Sequence, residues 1–356
     1  MSLIINIIYF IGAIALLIII HEIGHFLAAR FFKIEVEEFG LGFPPKALTM
    51  FKAKGTEFTL NWIPLGGFVR PKGENDPTVE GGLAAAKPWT RIAVLLAGPL
   101  MNFFAGILIF AAVSFINGSP IRDKIVILEV EPNSPAANAR IQENDIIYTV
   151  NGTLIDSQDS IIDFIHNNLG TELEFVLDRD GELINTTMTP RTEWPEEQGP
   201  TGIVLGHPTE PVPITQALQS GTYAVIDYIK LLFSIPGQLI SGEITPDQGR
   251  LVGYTGMYKI YDHMRTQDAQ TPSGLGLGIN TLVFFGTITI SLGLLNLLPI
   301  PALDGGRILF TLPEILFGKR IPQEYENMVN LVGFMLLIIM MVYVNLQDII
   351  NPISIP

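Results

Sequence analysis

His21-Glu22-Ile23-Gly24-His25 places two imidazoles four residues apart with a carboxylate between them. On a helix that spacing projects both histidines from one face, one turn apart. Such a pair holds a metal ion, and the intervening glutamate serves as general base in a hydrolysis. A catalytic zinc keeps three protein ligands and one open position, so a third ligand is required. The chain has no cysteine, which excludes thiolate ligands, cysteine nucleophiles and disulfides. His166, His207 and His263 fall in a long acidic segment, at the wrong level. Asp304, within "GLLNLLPIPALDGGR" (Gly293–Arg307), is the best candidate by depth and type.

The elements that must position these groups are membrane spans. The 356 residues are 48% hydrophobic and 16% charged, and the apolar residues are clumped. A span needs about 20 mostly apolar residues. Four stretches qualify: Leu3–Ala29, Ile92–Ile116, Leu275–Pro299 and Val329–Leu346. The first lacks a basic leader, and its apolar stretch is too long for a cleaved signal, so it reads as retained. Lys and Arg set the orientation. The loop Arg30–Arg91 carries nine of the 21, and Pro301–Asn327 adds Arg307, Lys319 and Arg320. The segment Asn117–Gly274 carries 22 acidic residues against nine basic ones. The two short loops are therefore expected in the cytoplasm, with both termini and the acidic segment outside. His21 then lies about 27 Å below Leu3, at 1.5 Å per residue, near the cytoplasmic end of its span. Helix parity brings Asp304 to about the same depth.

Polar groups in hydrocarbon are costly and usually functional. Two other uses compete with hydrolysis: interhelical hydrogen-bond glue, and a metal-ion transporter using the intramembrane His/Asp cluster. A single motif-bearing helix and the lack of repeated halves argue against transport. The net charge of −14 argues against nucleic-acid binding.

The chain resembles the site-2 protease family. The resemblance is carried by His21-Glu22-Ile23-Gly24-His25, by Asn296 through Pro299 and Pro301 to Asp304-Gly305, and by "EFGLGFPPK" (Glu38–Lys46), "IPLGGFV" (Ile63–Val69) and "AGPLMN" (Ala97–Asn102). It runs from residue 1 to about 346. It implies Zn2+ held by His21, His25 and Asp304, Glu22 as the proton carrier, and cleavage of membrane-spanning proteins such as anti-sigma factors, or of remnant signal peptides. It also implies a monomer in a bacterial cytoplasmic membrane. Asn296 would grip the substrate backbone, with Pro299 and Pro301 keeping that segment extended. Ending the third helix is an equal role for the prolines. At Gly253-Tyr254 the chain departs from the family's Gly-Pro.

The remaining segments complete the expected fold: a multi-pass α-helical membrane protein of four spans with a membrane-re-entrant cytoplasmic β-hairpin and an inserted extracytoplasmic α+β PDZ-like domain. "TEFTLNW" (Thr56–Trp62) alternates polar and apolar, as a half-buried strand does. On the resemblance, the strand edge at Phe58, Thr59 and Leu60 would pair with an unwound substrate. "VEPNSPAANARIQENDIIYTVNG" (Val130–Gly152), the amphipathic "SIIDFIHNN" (Ser160–Asn168) and a hairpin over Glu172–Pro190 resemble one PDZ unit that filters access. Thr215–Gly242 has helical periodicity. Asp227, Lys230 and parity place it on the outer leaflet, not across the membrane. The expected divisions are 1–116, 117–210, 211–274 and 275–356.

Overall fold

The apolar run that carries the histidines is a single helix, α1 (Ser2–Phe31). It stops where Lys33 turns left-handed (φ 61°) and the Ile34 N–H bonds back to the Ala29 carbonyl at 2.9 Å. The computed structural model describes residues 2–121, 123–195, 198–246, 249–270 and 278–353. They divide into two units, Asn117–Pro213 and the combination of Met1–Ile116 with Ile214–Pro356.

In the larger unit α1 is followed by two long strands, β1 (Val36–Ala53) and β2 (Thr56–Pro71), and then by helix α2 (Pro88–Asn117). The strands do not form a simple hairpin. Phe39 lies opposite both Val69 and Phe58, and Phe58 lies opposite both Phe39 and Phe51. Each strand doubles back, which gives four segments in the order 46–53, 56–61, 36–41, 67–71. The 56–61 segment is therefore central, with a partner on each side. This corrects the expectation that Phe58, Thr59 and Leu60 offer a free edge. Thr59 is fully buried and its hydroxyl donates to Glu38 Oε1 at 2.7 Å. Phe58 stacks between Phe39 and Phe51. Glu57 pairs with Lys52, and with Lys46 at 2.9 Å. Those hydrogen bonds, Lys52's first, pull its carboxyl down to about 2.

The smaller unit holds β3 (Ser119–Pro120), β4 (Ile125–Val130), α3 (Pro135–Asn138), β5 (Ile146–Val150), β6 (Thr153–Leu154), α4 (Gln158–His166), β7 (Leu173–Arg179), β8 (Glu182–Met188), β9 (Ile203–Gly206) and β10 (Thr209–Glu210). The main sheet runs β8-β7-β5-β4-β9, with β6 on β5, and β3 pairs with β10. Its core is apolar: Ile125, Ile127, Ile147, Ile161, Leu173, Phe175 and Leu177 are all buried. The buried Asp145 carboxylate binds the Arg179 guanidinium at 2.6 and 2.7 Å, tying the entry to β5 to the end of β7. Ser134 caps α3 and Ser157 caps α4, each through its side-chain oxygen.

The chain returns to the larger unit as α5 (Ile214–Ser241), α6 (Tyr254–Gln270), α7 (Ile279–Leu297), α8 (Asp304–Phe317) and α9 (Gln323–Ile350). Among the described residues five helices are long and apolar enough to cross a membrane: α1, α2, α5, α7 and α9. Residues 275–277 of the expected third span lie outside the described residues. The five exceed the expected four by α5, whose hydropathy is the lowest of the set. α5 packs through Gly221 on Ile107 and Ala111 of α2, and Tyr228 meets Ser291 of α7 at 3.3 Å. α6 lies against the starts of α1 and α7 and the end of α9. Tyr258 and Tyr261 pack on Phe10, and Asp268 accepts the Asn280 and Thr281 N–H groups at 2.8 and 2.9 Å. Asp348 of α9 accepts from Arg250 at 2.7 Å and from the backbone of Gly253 and Gly256 at 2.8 and 3.0 Å. The expected cytoplasmic loop 301–327 is largely helix α8. α9 exposes Leu331, Met335, Leu336, Ile339 and Met340, a surface that hydrocarbon tolerates and water does not.

Asp348 is 1% exposed. Asp348→Ala strands a guanidinium and two backbone N–H groups, and the loss of one partner of a buried pair costs about 3–5 kcal/mol. Thermal unfolding in detergent should show a clear drop for Asp348→Ala and a smaller one for Asp348→Asn. Equal stability of all three proteins would refute the assignment of Asp348 as the anchor of α6.

Candidate metal centre

Three side chains far apart in sequence meet at one point. His21 Nε2 and His25 Nε2 are 3.1 Å apart. Asp304 Oδ2 lies 3.2 Å from the first and 3.3 Å from the second. They are the one group of three or more such ligands found together among the described residues. A tetrahedral ion with bonds of about 2.0–2.1 Å holds its ligands about 3.3 Å apart, so the triangle has the right size for zinc. Its chemistry fits as well: two imidazoles and one carboxylate are a zinc donor set. Asp304 Oδ2 is buried and makes no hydrogen bond, although it sits between two nitrogens. A buried carboxylate oxygen left so calls for a partner, and an ion between the two nitrogens would supply one.

Local sequence explains the convergence. His21 and His25 are one turn apart on α1. α2 presses on that turn through two glycines. A Cβ on Gly24 would lie 2.2 Å from the Ala97 carbonyl oxygen, and one on Gly98 would lie 2.3 Å from His25 Nε2. Asp304 opens α8 because Gly305 and Gly306 let its first turn sit on the backbone of Leu297, Leu298 and Ile300. Ala302, left-handed at φ 74°, is fixed by Asn330, whose Oδ1 accepts its N–H at 3.0 Å.

α2 also supplies the outer hydrogen bonds. His25 Nδ1 donates to the Val94 carbonyl at 2.8 Å, and the Asn102 amide lies 3.1 Å from His21 Nδ1. Glu22, on the same turn of α1, meets the sheet. The Val69 backbone N–H faces its carboxylate, and Gly67 approaches its side chain. Among the described residues the segment 67–71 that carries these contacts is an edge, paired on one side only, with 36–41.

The other expected residues stand apart from the triangle. Asn296 ends α7 with its amide turned to its own helix, donating to the Leu292 carbonyl at 2.9 Å. Pro299 and Pro301 lie in the non-helical link between α7 and α8. Phe58, Thr59 and Leu60 lie in the central sheet segment described above. Sequence reasoning missed Val94, Gly98 and Asn102. Their spacing of four repeats that of the histidines, and "AGPLMN" stood out only as a resemblance.

The model of Peptidase family M50 matches residues 9–340. The chain belongs to this peptidase family. This M50 chain is 33% identical over 352 residues to a Clostridium perfringens protein, spanning 98% of itself and 99% of that relative. It is 28% identical to the zinc metalloprotease RasP of Geobacillus kaustophilus, over 97% of each chain. It is 27% identical to the regulator of sigma-W protease RasP of Bacillus subtilis, over 97% of this chain and 98% of that one. A solved PDZ domain of an SdrC-like protein from Listeria monocytogenes aligns to 23% of this chain and 87% of its own, at 21% identity and TM-score 0.21. The M50 chain is thus a multi-pass zinc metalloprotease, and metal transport is set aside.

Gly98→Ala adds a methyl where the His25 and His21 rings stand. The purified variant should lose zinc and peptidase activity together, whereas Gly12→Ala, with nothing within 4 Å of the added carbon, should keep both. Normal zinc content in Gly98→Ala would show that the α1–α2 contact does not set the site.

Proposed function

We propose that the chain hydrolyses peptide bonds in membrane-spanning segments of other proteins, with zinc held by His21, His25 and Asp304. The observation that carries this is the triangle of 3.1, 3.2 and 3.3 Å beside Glu22 in an apolar helix. Zinc, when bound, makes water acidic enough to attack at neutral pH and polarises the peptide carbonyl. Glu22 takes the proton of the attacking water and returns it to the leaving amine. The Val69 N–H faces the Glu22 carboxylate and would steady it between those transfers. Burial of His21 and the apolar wall of α1 and α2 keep bulk water away.

Substrate enters as an extended chain along the strand edge at 67–71, beside Glu22, and that edge takes over the pairing expected of Phe58–Leu60. This edge carries Val69 and so reaches Glu22, while the opposite edge at 46–53 lies three segments away. Asn296 would grip the substrate backbone, with Pro299 and Pro301 keeping the link from α7 to α8 extended. Four helices, α1, α2, α7 and α9, cross a bacterial cytoplasmic membrane, and α5 and α6 lie along its outer side. Support comes from α6 leaning on the starts of α1 and α7 and the end of α9, and from Leu239 of α5 packing beside Gly249, next to the Arg250–Asp348 pair. The acidic PDZ-like unit then lies outside, and the site lies toward the cytoplasm. The Bacillus subtilis relative is named for regulating a sigma factor. Anti-sigma factors and remnant signal peptides are the substrate class.

Zinc per purified chain, measured beside cleavage of a model membrane-spanning peptide, tests the roles. Glu22→Gln should keep about one zinc and lose about 10²–10⁴-fold or more in rate. His21→Ala and Asp304→Ala should be inactive and metal-poor. A Glu22→Gln protein that still cleaves would sink the base assignment, and full zinc in Asp304→Ala would sink the third ligand.

The chain has no cysteine, so single cysteines report neighbours cleanly. A cysteine at Phe68 or Arg70 should form disulfides with cysteines along a substrate trapped on Glu22→Gln, and one at Leu60 should not. The reverse pattern would return the docking edge to the central segment.

A further inference from the structure

The residues of α2 that touch the metal centre follow a rule of four: Val94, Gly98 and Asn102. Gly98 provides room. Val94 and Asn102 each face the Nδ1 of one histidine, at 2.8 and 3.1 Å. A carbonyl can only accept, so Val94 fixes the proton of His25 on Nδ1 and leaves the Nε2 lone pair facing Asp304. His21 Nε2 faces the same point, so His21 needs the same tautomer. Its Nδ1–H must therefore find an acceptor, and Asn102 is the side chain within reach.

Asn102 is fully buried, at 0% exposure. With Nδ2 toward the ring, its Oδ1 is buried and has no hydrogen-bond partner. A half-turn of the amide exchanges two atoms of nearly equal shape and brings Oδ1 to His21 Nδ1. Oδ1 then accepts Nδ1–H, and both Nε2 lone pairs are directed at one ion. The outer partner of a metal-bound histidine also raises the basicity of the ligand and fixes the plane of the ring.

We propose that Asn102 is a positioning residue of the zinc site: its Oδ1 accepts the Nδ1–H of His21, as the Val94 carbonyl does for His25. The proposal rests on the zinc reading above and adds to it a tautomer and a residue outside the ligand set. Asn102 touches no substrate, and its effect passes through His21.

The test is zinc affinity of the purified full chain in detergent, by competition with a chromophoric chelator, with thermal unfolding as a check on folding. Asn102→Leu removes the acceptor at similar size and should weaken zinc by about 10–100-fold. Asn102→Asp keeps an acceptor and cannot donate, so it should hold zinc within a few-fold of wild type. A merely structural role predicts the opposite order, because a buried carboxylate is harder to accommodate than leucine. Asn102→Leu binding zinc as tightly as wild type, or Asn102→Asp as weakly as Asn102→Leu, overturns the proposal. A wild type without affinity for zinc overturns instead the reading on which it rests. The chain has five histidines, so ¹⁵N-histidine spectra of the zinc-loaded wild type give a readout that needs no folded variant at position 102. His21 should carry its proton on Nδ1 and the metal on Nε2, and the reverse assignment would also overturn the proposal.

Discussion

Polar groups in an apolar interior persist only where each has a partner, and the larger unit is arranged around that constraint. Two imidazoles and a carboxylate converge on one point, where a bound zinc would satisfy all three. Everything that brings them together is a close approach of backbone: α1 on α2 at Gly24 and Gly98, and α8 on the end of α7 at Gly305 and Gly306. A hydrophobic contact would tolerate a slip of half an ångström, whereas three ligand atoms on one ion do not. The glycines are thus the steric half of a site whose chemical half is His21, His25 and Asp304. The outer hydrogen bonds from α2 belong to the same contact. They come at the same helical pitch, so one interface sets both distance and ring orientation.

The chemistry of the site was more legible in the sequence than its framing. The four-residue spacing of the histidines fixes their common face, and the type and depth of Asp304 single it out from 35 acidic residues. The outer contacts were not legible, because Val94 acts through its carbonyl and Val69 through its N–H, and a backbone group leaves no signature in residue type. Asn102 was visible as a polar residue in an uncharged span, but which imidazole it meets depends on how α2 rotates against α1. The sheet shows a different limit. Alternation along Thr56–Trp62 identifies a half-buried strand, but alternation is the same for an edge strand and a central one. The doubled-back strands that put 56–61 in the middle depend on non-local pairing. α5 was ambiguous for a third reason: its hydropathy is only just that of a span, so composition alone does not separate a crossing helix from one lying along the surface.

The two units hold themselves together differently. The smaller has an apolar core and, among the described residues, a buried ion pair, as soluble domains do. The larger buries little of its helical surface and exposes the apolar faces of α1, α5 and α9, so hydrocarbon replaces a core. Its few buried charges tie elements distant in sequence. Arg91 pairs with Glu314, Arg307 with Glu74 at 2.6 Å, and Asp348 with Arg250. The first two join α8 to the segment around α2, so the helix that begins with Asp304 is held along its length as well as at its start.

The edge at 67–71 carries a consequence for where cuts fall. A chain added to it by backbone hydrogen bonds is registered in steps of two residues, because a slip of one turns every side chain to the opposite face. The edge and the proposed base adjoin at Val69, so such a ruler would sit beside the reacting group. Secondary cuts on a single substrate would then be phased two residues from the main one. Position relative to the unwound stretch, more than residue identity at the scissile bond, would decide which peptide bond is lost.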